Sequence, residues 1–328
     1  MDLEKKQLIK IAKMYYDEGM TQDEIAKRLS LSRQKVNRMM KRLIPEGIVQ
    51  ISIDDSLDEY VELEKSLEAE LGLEEAIVIQ SDSDLHILLN QLGKAGAEYL
   101  DRVIKPQTNV GIAWGRTLGY MTDHLKKPRQ SFRGSIVQFA GGAPIDIDGQ
   151  GVVADINKYW KKQSGEITRV MADVLGGTPY LLHTPLFMES PEAMTILRKE
   201  PSVARVFNQM SLCDLMMVSL GGVGQHLTPF REHLLTRSQL DYLQARGAVG
   251  NVVFRYFDIQ GRSITTPFDE HVMSPELEVM RKIPKRICVA GGEEKIEAIL
   301  GGIRGEIVNV LITDYETAQA VLSLSKVE

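Results

Sequence analysis

Thr21 to Arg42 reads TQDEIAKRLSLSRQKVNRMMKR, and its spacing predicts two short helices joined by a tight turn, the arrangement of a unit that reads DNA. Ile25, Leu29, Leu31, Val36, Met39 and Met40 recur at helical spacing and can pack together, with Ala26 where the two helices must approach closely. Thr21 followed by Glu24 forms a capping box for the first helix. Ser32 can accept a backbone N–H at the start of the second, which begins at Arg33. Ser30 stands at the turn position usually filled by glycine, a costlier choice if that residue is left-handed.

On the second helix Arg33, Gln34, Asn37 and Arg38 point away from the packed face. Their types match base edges and phosphates: arginine suits guanine, and glutamine or asparagine suits adenine, so such a helix can enter a major groove. Lys27, Arg28, Arg33, Lys35, Arg38, Lys41 and Arg42 occur with no carboxylate among them, which favours phosphate attraction over a merely solvated hairpin. The expected DNA-contacting set is Gln22, Ser32, Arg33, Gln34, Lys35, Asn37 and Arg38, and the partner is double-stranded operator DNA.

This charge is local. The whole chain has 328 residues and a formal net charge of -6, yet residues 1–53 hold eleven Lys or Arg against seven Asp or Glu, giving +4 there and -10 in the remainder. A small nucleic-acid module attached to an acidic body is the class this asymmetry favours. With 43% hydrophobic and 26% charged residues, the chain can bury a sizeable core and is long enough for more than one domain. The amino end is charged and without an apolar signal region, and no run of about twenty apolar residues occurs, so a cytoplasmic location and no membrane partner are expected. Cys213 and Cys288 each lie in an apolar strand-like run and are expected to be buried thiols.

After the second helix Pro45-Glu46-Gly47 breaks the pattern. Ile48, Ile51 and Ile53 follow as a β-like stretch that could form a wing or cover the helices, and Asp54-Asp55-Ser56 reads as a hinge. From Tyr60, Val61, Leu63, Leu67 and Leu71 line one side of a helix that Gly72 ends. This helix either opens the second domain or joins domains or protomers. The expected division is a helix-turn-helix domain of winged type over 1–53, a linker over 54–59 and a larger domain over 60–328.

Beyond residue 76 short apolar runs alternate with helical patterns: Val110 to Ala113, Ile136 to Phe139, Tyr180 to Leu182, Leu215 to Leu220, Ile287 to Ala290 and Val308 to Ile312. That alternation implies an α/β, Rossmann-like domain with a parallel sheet flanked by helices. Such sheets bind ligands at the carboxyl ends of their strands, where helix N-termini attract anions. Four turns fall on that rim: Gly115-Arg116-Thr117, Gly141-Gly142, Gly221 to Gly224, and Gly291 to Lys295. Each is expected to bring backbone N–H groups close to an oxyanion, and Arg116, Lys295 and the Thr117 hydroxyl complete the description of a phosphate cradle. No nucleophile elbow, Walker loop or metal-ligand spacing of the six histidines occurs, and Asp146-Ile147-Asp148-Gly149 lacks the glycine position and glutamate of a calcium loop. No cofactor and no metal are expected.

MYYDEGMTQDEIA near the start, GIAWGRTL at 111–118, AVGNVVFRYFD at 248–258, VAGGEEKIEAILGG at 289–302 and the final NVLITDYETA resemble, in order, blocks of the SorC/DeoR-type family of bacterial sugar-responsive transcriptional regulators. The resemblance spans essentially the whole chain. It implies a C-terminal domain related in fold to sugar-phosphate isomerases and deaminases but used for sensing, with a phosphorylated sugar or polyol as effector and a homo-oligomer, dimer or tetramer, as the assembly. It implies repression relieved by inducer. Carried onto matching positions, it places Gly115, Arg116, Thr117 and Lys295 at the ligand, with Arg231 in a region where an effector-binding arginine often occurs. Gly141, Gly142, Gly222, Gly224, Asn251, Gly291 and Gly292 join that set. Two departures stand out: Asn251 occupies a usually acidic position, and Ala140 a position where some relatives place a cation, which points to a different sugar part. The rival reading is a sugar-phosphate isomerase or deaminase with an accessory DNA-binding domain, for which Glu293 and Glu294 would supply acid/base groups.

Overall fold

The structure, a computed structural model, describes residues 3–51, 58–143, 163–225 and 234–327. The chain divides into two compact units, residues 1–58 and 59–328.

The smaller unit is helical. Helix α1 (Leu3–Ala12) runs on through one wide turn at Lys13–Asp17, followed by α2 (Gln22–Leu29) and α3 (Arg33–Met40). Leu8, Ile11, Ala12 and Met14 of the first segment meet Ile25, Ala26, Val36, Met39 and Leu43 in one apolar core. Helix α1 is absent from the sequence reading, although the spacing of Leu8, Ile11 and Ala12 carries the signal for it. The expected caps form. Thr21 Oγ1 accepts the Glu24 N–H at 3.4 Å while Glu24 Oε2 accepts the Thr21 N–H at 2.8 Å, and Ser32 Oγ accepts the Lys35 N–H at 3.2 Å. Ser30 is left-handed, at φ 53° and ψ 41°, and the following Leu31 N–H donates to Ala26 O. Of the two alternatives for the stretch after Gly47, the cover over the helices is the one seen: residues 48–51 pair in no strand, and Ile48 and Val49 donate their N–H groups to Leu43 O and pack against the helical core. Ile53 and Asp54-Asp55-Ser56 lie outside the described residues.

The larger unit begins with α4 (Asp58–Leu71), whose Leu63 and Leu67 are buried. It is built on a seven-stranded parallel sheet. In chain order its elements are β1 (Glu75–Ile79), α5 (Leu85–Val103), β2 (Val110–Ile112), α6 (Arg116–Thr122), β3 (Ser135–Gln138), α7 (Ser164–Leu175), β4 (Thr178–Tyr180), α8 (Pro191–Lys199), α9 (Pro201–Met210) and β5 (Leu215–Val218). A small sheet then intervenes, formed by β6 (Gly221–Gly222), β7 (Ala248–Val252), β8 (Arg255–Asp258) and β9 (Ser263–Ile264), with α10 (Arg237–Ala245) ahead of β7. The chain closes with α11 (Leu277–Arg281), β10 (Lys285–Val289), α12 (Ile296–Arg304), β11 (Val310–Asp314) and α13 (Tyr315–Ser325).

The main sheet has the order β1-β11-β10-β5-β2-β3-β4, all pairs parallel, and the strands at its centre are buried on both faces, as a sheet covered by helices requires. Strand order reverses between β2 and β5: β2, β3 and β4 step outward one way, and β5, β10 and β11 the other. A crevice at the carboxyl ends of β2 and β5 is the place where open sheets of this kind take ligands. Close helix packing fixes the element that borders it. A Cβ on Gly93 of α5 would stand 2.7 Å from Met121 N, so only glycine lets α6 lie against α5 at this distance.

Three features differ from the expectation. The strand expected at Tyr180 to Leu182 lies earlier, at Thr178–Tyr180, where it pairs with β3. Strand β1 is an additional outer strand. Gly221-Gly222, expected as a rim turn, instead pairs antiparallel with Asn251-Gly250 and belongs to the small sheet, whose order is β6-β7-β8-β9.

Candidate functional site

The segments after β10, β5, β2 and β3 occupy four consecutive positions in the sheet order, so Gly291-Gly292, Ser219, Gly115 and Gly141-Gly142 lie along one edge, with Gly221-Gly222 turned away into the small sheet. At its centre Gly115 opens α6 with φ 126° and ψ 167°, a conformation closed to side chains, and no side chain caps the helix start. The first-turn N–H groups of α6 have no intrahelical acceptor, and this turn carries Arg116, which is half-buried, and Thr117, which is 1% exposed.

Lys295 reaches this place from the β10 side. Its Nζ donates to Ser219 Oγ at 2.9 Å, and Ser219 directly follows β5. Burial pulls the Lys295 ammonium down to about 8, and the neighbouring Arg116 guanidinium pushes in the same direction. A buried ammonium whose neighbour is a second cation describes a site short of one anion. Ser219 belongs to this group and is missed by the sequence reading, because a serine between strand and turn carries no pattern of its own.

Several expected amide donors are committed elsewhere. The Gly141 N–H donates to Met273 O at 3.0 Å and the Gly142 N–H to Thr184 O at 2.9 Å. The Gly292 N–H is shared by Thr317 Oγ1 at 2.7 Å and Asp314 Oδ2 at 3.1 Å, and a Cβ on Gly291 would lie 2.3 Å from that same carboxylate oxygen. The expectation that these turns present free N–H groups to an oxyanion is therefore corrected for Gly141, Gly142 and Gly292: buried donors must be satisfied, and here backbone and hydroxyl acceptors already satisfy them. Gly222 is paired in β6, and Asn251 Nδ2 donates to Gly221 O at 3.2 Å, so this amide braces the small sheet. Gly224 is half-buried at the edge of the described residues, and Arg231 lies outside them. Glu293 and Glu294 are exposed. Among the described residues no group of three or more His, Cys, Asp or Glu could hold a metal, and no helix is long and apolar enough to cross a membrane.

In the helical unit, Arg33, Gln34, Lys35, Asn37 and Arg38 are all exposed on α3, and Gln22 is half-buried at the start of α2. Arg28 and Arg42 are drawn into pairs with Glu18 and with Glu4 and Glu46, and Arg33 Nε stands 3.5 Å from Asp23. Lys35 and Arg38 have no ion-pair partner among the described residues, which leaves them as the cations of α3 most open to phosphate.

Comparison with known proteins agrees with both halves. The model of the Sugar-bind family, a sugar-binding domain, matches residues 55–323, and that of a winged helix-turn-helix DNA-binding domain matches residues 14–50. The chain is similar to the deoxyribonucleoside regulator of Bacillus subtilis, at 28% identity over 325 residues, covering 98% of this chain and 99% of that one. It is similar to the sorbitol operon regulator of Klebsiella pneumoniae, at 28% identity over 316 residues, covering 96% and 97%. The crystal structure of full-length SorC from Klebsiella pneumoniae superposes with a TM-score of 0.72 at 28% identity, covering 97% of this chain and 98% of that one.

Proposed function

The chain belongs to the Sugar-bind family in its SorC-type form, with a helix-turn-helix ahead of the sugar-binding domain, and from that premise we propose that it is a transcriptional repressor of a carbohydrate or polyol utilisation operon, released by a phosphorylated sugar or polyol. Residues 1–53 read operator DNA through Gln22, Ser32, Arg33, Gln34, Lys35, Asn37 and Arg38, residues 54–59 link, and residues 60–328 bind effector and oligomerise as a dimer or tetramer in the cytoplasm. The observation that carries the effector class is Lys295 Nζ held on Ser219 Oγ at 2.9 Å at the carboxyl end of β5, the strand next to β2, whose following turn carries Gly115, Arg116 and Thr117. A dianionic phosphate there satisfies two cations, a hydroxyl and open helix amides together. Gly141, Gly142, Gly222, Gly224, Asn251, Gly291 and Gly292 shape the walls around that phosphate, and Arg231 is assigned to the same ligand.

The relatives named above favour regulation over the isomerase or deaminase reading, since both carry the names of regulators. Effector and DNA affinities must be coupled reciprocally: a sugar phosphate that weakens operator binding is itself bound more weakly by the operator complex, by the same factor. The test pairs two variants. Arg38→Ala is expected to lower operator affinity while leaving sugar-phosphate thermal stabilisation intact, and Lys295→Ala to do the reverse. An Arg38→Ala protein with an unchanged DNA titration at fixed salt, or turnover of a sugar phosphate by the native chain, overturns the reading.

A further inference from the structure

The β7–β8 hairpin closes through a two-residue turn, Val253-Phe254, between the paired Val252 and Arg255. Both turn residues have positive φ, 43° and 65°, the geometry of the turn that normally takes Asn-Gly. A β-branched and an aromatic residue are the poorest occupants of that conformation. Both are nonetheless buried, at 2% and 1% exposure. Strain of this kind persists only where surrounding structure over-determines it, and it concentrates where ligands are held.

What over-determines it here is visible on each side. The Phe254 ring stacks on Trp114 with centroids 5.6 Å apart and planes at 27°, and meets Phe187 edge-on at 4.9 Å. Trp114 is the residue before Gly115. Behind the turn, the buried Arg255 guanidinium donates to the carbonyls of Asp269, Val272 and Ser274 and pairs with Glu276 at 3.0 Å, anchoring the hairpin to a segment that also bridges Phe187 through Val272. The β7 strand pairs with Gly221-Gly222, two residues beyond the Ser219 that holds Lys295. The strained turn thus touches the residue before Gly115 through its ring, and the strand that leads into it pairs with the segment that follows Ser219.

We propose that Phe254 is the positioning residue of the anion cradle: held in a left-handed turn, its ring clamps Trp114 and so fixes the backbone of Gly115, Arg116 and Thr117 in the shape that receives a phosphate. An Asn-Gly turn would close the hairpin with less strain but would leave Trp114 without its stacking partner. The inference rests on the reading of Arg116 and Lys295 as a phosphate site, and the experiment separates the two.

Binding of inorganic phosphate to the full chain is measured by calorimetry for the native protein, Arg116→Ala, Phe254→Leu, Phe254→Tyr, and the double variant Val253→Asn/Phe254→Gly, each at a temperature where its melting curve shows it folded. Phosphate binding that needs Arg116, falls about tenfold in Phe254→Leu and in the double variant, and returns to within about twofold of native in Phe254→Tyr is the expected pattern, since one lost aromatic pair corresponds to a change of that order. The double variant carries the decisive arm. Its turn is relaxed while loss of the buried ring lowers the melting temperature under either role, so among folded molecules a purely structural role for Phe254 predicts native phosphate affinity, whereas the positioning role predicts weakened affinity. Binding that needs Arg116 but ignores Phe254 overturns this inference alone. Native protein that takes up no phosphate, or takes it up regardless of Arg116, overturns the cradle itself.

Discussion

Asp314 accepts the Gly292 N–H at 3.1 Å, and through that bond the last strand of the sheet holds the turn from which Lys295 projects. The carboxylate is 2% exposed and also accepts from Thr317 N at 3.1 Å, Thr317 Oγ1 at 2.6 Å and Ser81 Oγ at 2.8 Å. It therefore caps α13, ties down the segment before α5 and fixes the β10 turn at once. Asp314→Ala is expected to cost about 1–3 kcal/mol in urea unfolding, the range for a lost cap and stranded buried donors, and to weaken sugar-phosphate binding as well. A variant that loses stability but keeps full thermal stabilisation by sugar phosphates would show that Asp314 acts on the fold alone.

Asp314 also marks where sequence reading stops. The caps at Thr21 and Ser32 are local, so spacing of three residues reveals them, and five strands of the parallel sheet announce themselves as apolar runs, while the run at Tyr180–Leu182 meets β4 only at Tyr180. Asp314 and Gly292 are 22 residues apart, and Lys295 and Ser219 are 76 apart; nothing local to any of them marks the partner. The small antiparallel sheet escaped for a different reason. Its hairpin turn is Val253-Phe254, two residues of high strand preference where a turn ordinarily shows Asn-Gly, so the local chemistry argues for continuation and tertiary packing overrules it. Glycine turns are ambiguous in the same way: the rim position of Gly141, Gly142 and Gly292 was readable, but whether their amides face ligand or protein depends on carbonyls and hydroxyls brought up by distant strands.

Placed in the proposed cradle, Lys295 is expected to set the pH dependence of phosphate binding. Burial first, and Arg116 second, lower its ammonium from 10.5 to about 8. In the free protein the unfolded chain then binds more protons than the folded one between about 8 and 10.5, so this group penalises the fold fully below about 8 and the penalty is relieved as pH rises through that window. Bound phosphate reverses the preference, because it pairs with the charged form. Affinity for a sugar phosphate is therefore expected to fall as pH rises above about 8, and to fall again below about 6 where the phosphate loses its second charge. Calorimetry near pH 8.5 in buffers of different ionisation enthalpy should show proton uptake on binding. Lys295→Met should abolish both the uptake and the alkaline fall.

Ser30 carries a left-handed backbone without the side chain suited to it. Ser30→Gly removes the Cβ conflict at the end of α2 and is expected to stabilise the helix-turn-helix by about 0.5–1 kcal/mol, less whatever the freer unfolded chain takes back. The gain should appear as roughly two- to fivefold slower hydrogen exchange at the Leu31 N–H, which bonds Ala26 O across this turn, with operator affinity unchanged. Faster exchange in the glycine variant would mean that the serine side chain contributes more than its backbone geometry costs.

On the proposed reading, the exposed face of α3 is expected to divide into phosphate-positioning and base-reading side chains. Lys35 and Arg38 have no competing carboxylate among the described residues, whereas Asn37 offers a donor and an acceptor suited to an adenine edge. A cation that touches a phosphate displaces a condensed counterion, so Lys35→Ala or Arg38→Ala is expected to reduce the slope of log affinity against log salt by about 0.9 each and to weaken operator and random duplex alike. Asn37→Ala should leave the slope unchanged and lower only operator affinity, by about 1–3 kcal/mol, so that the ratio between operator and random duplex collapses. Fluorescence anisotropy across a salt series on both duplexes reads all three quantities. An Arg38→Ala protein that keeps the native slope but loses discrimination would transfer Arg38 from the phosphate backbone to a guanine edge, the other acceptor its guanidinium fits.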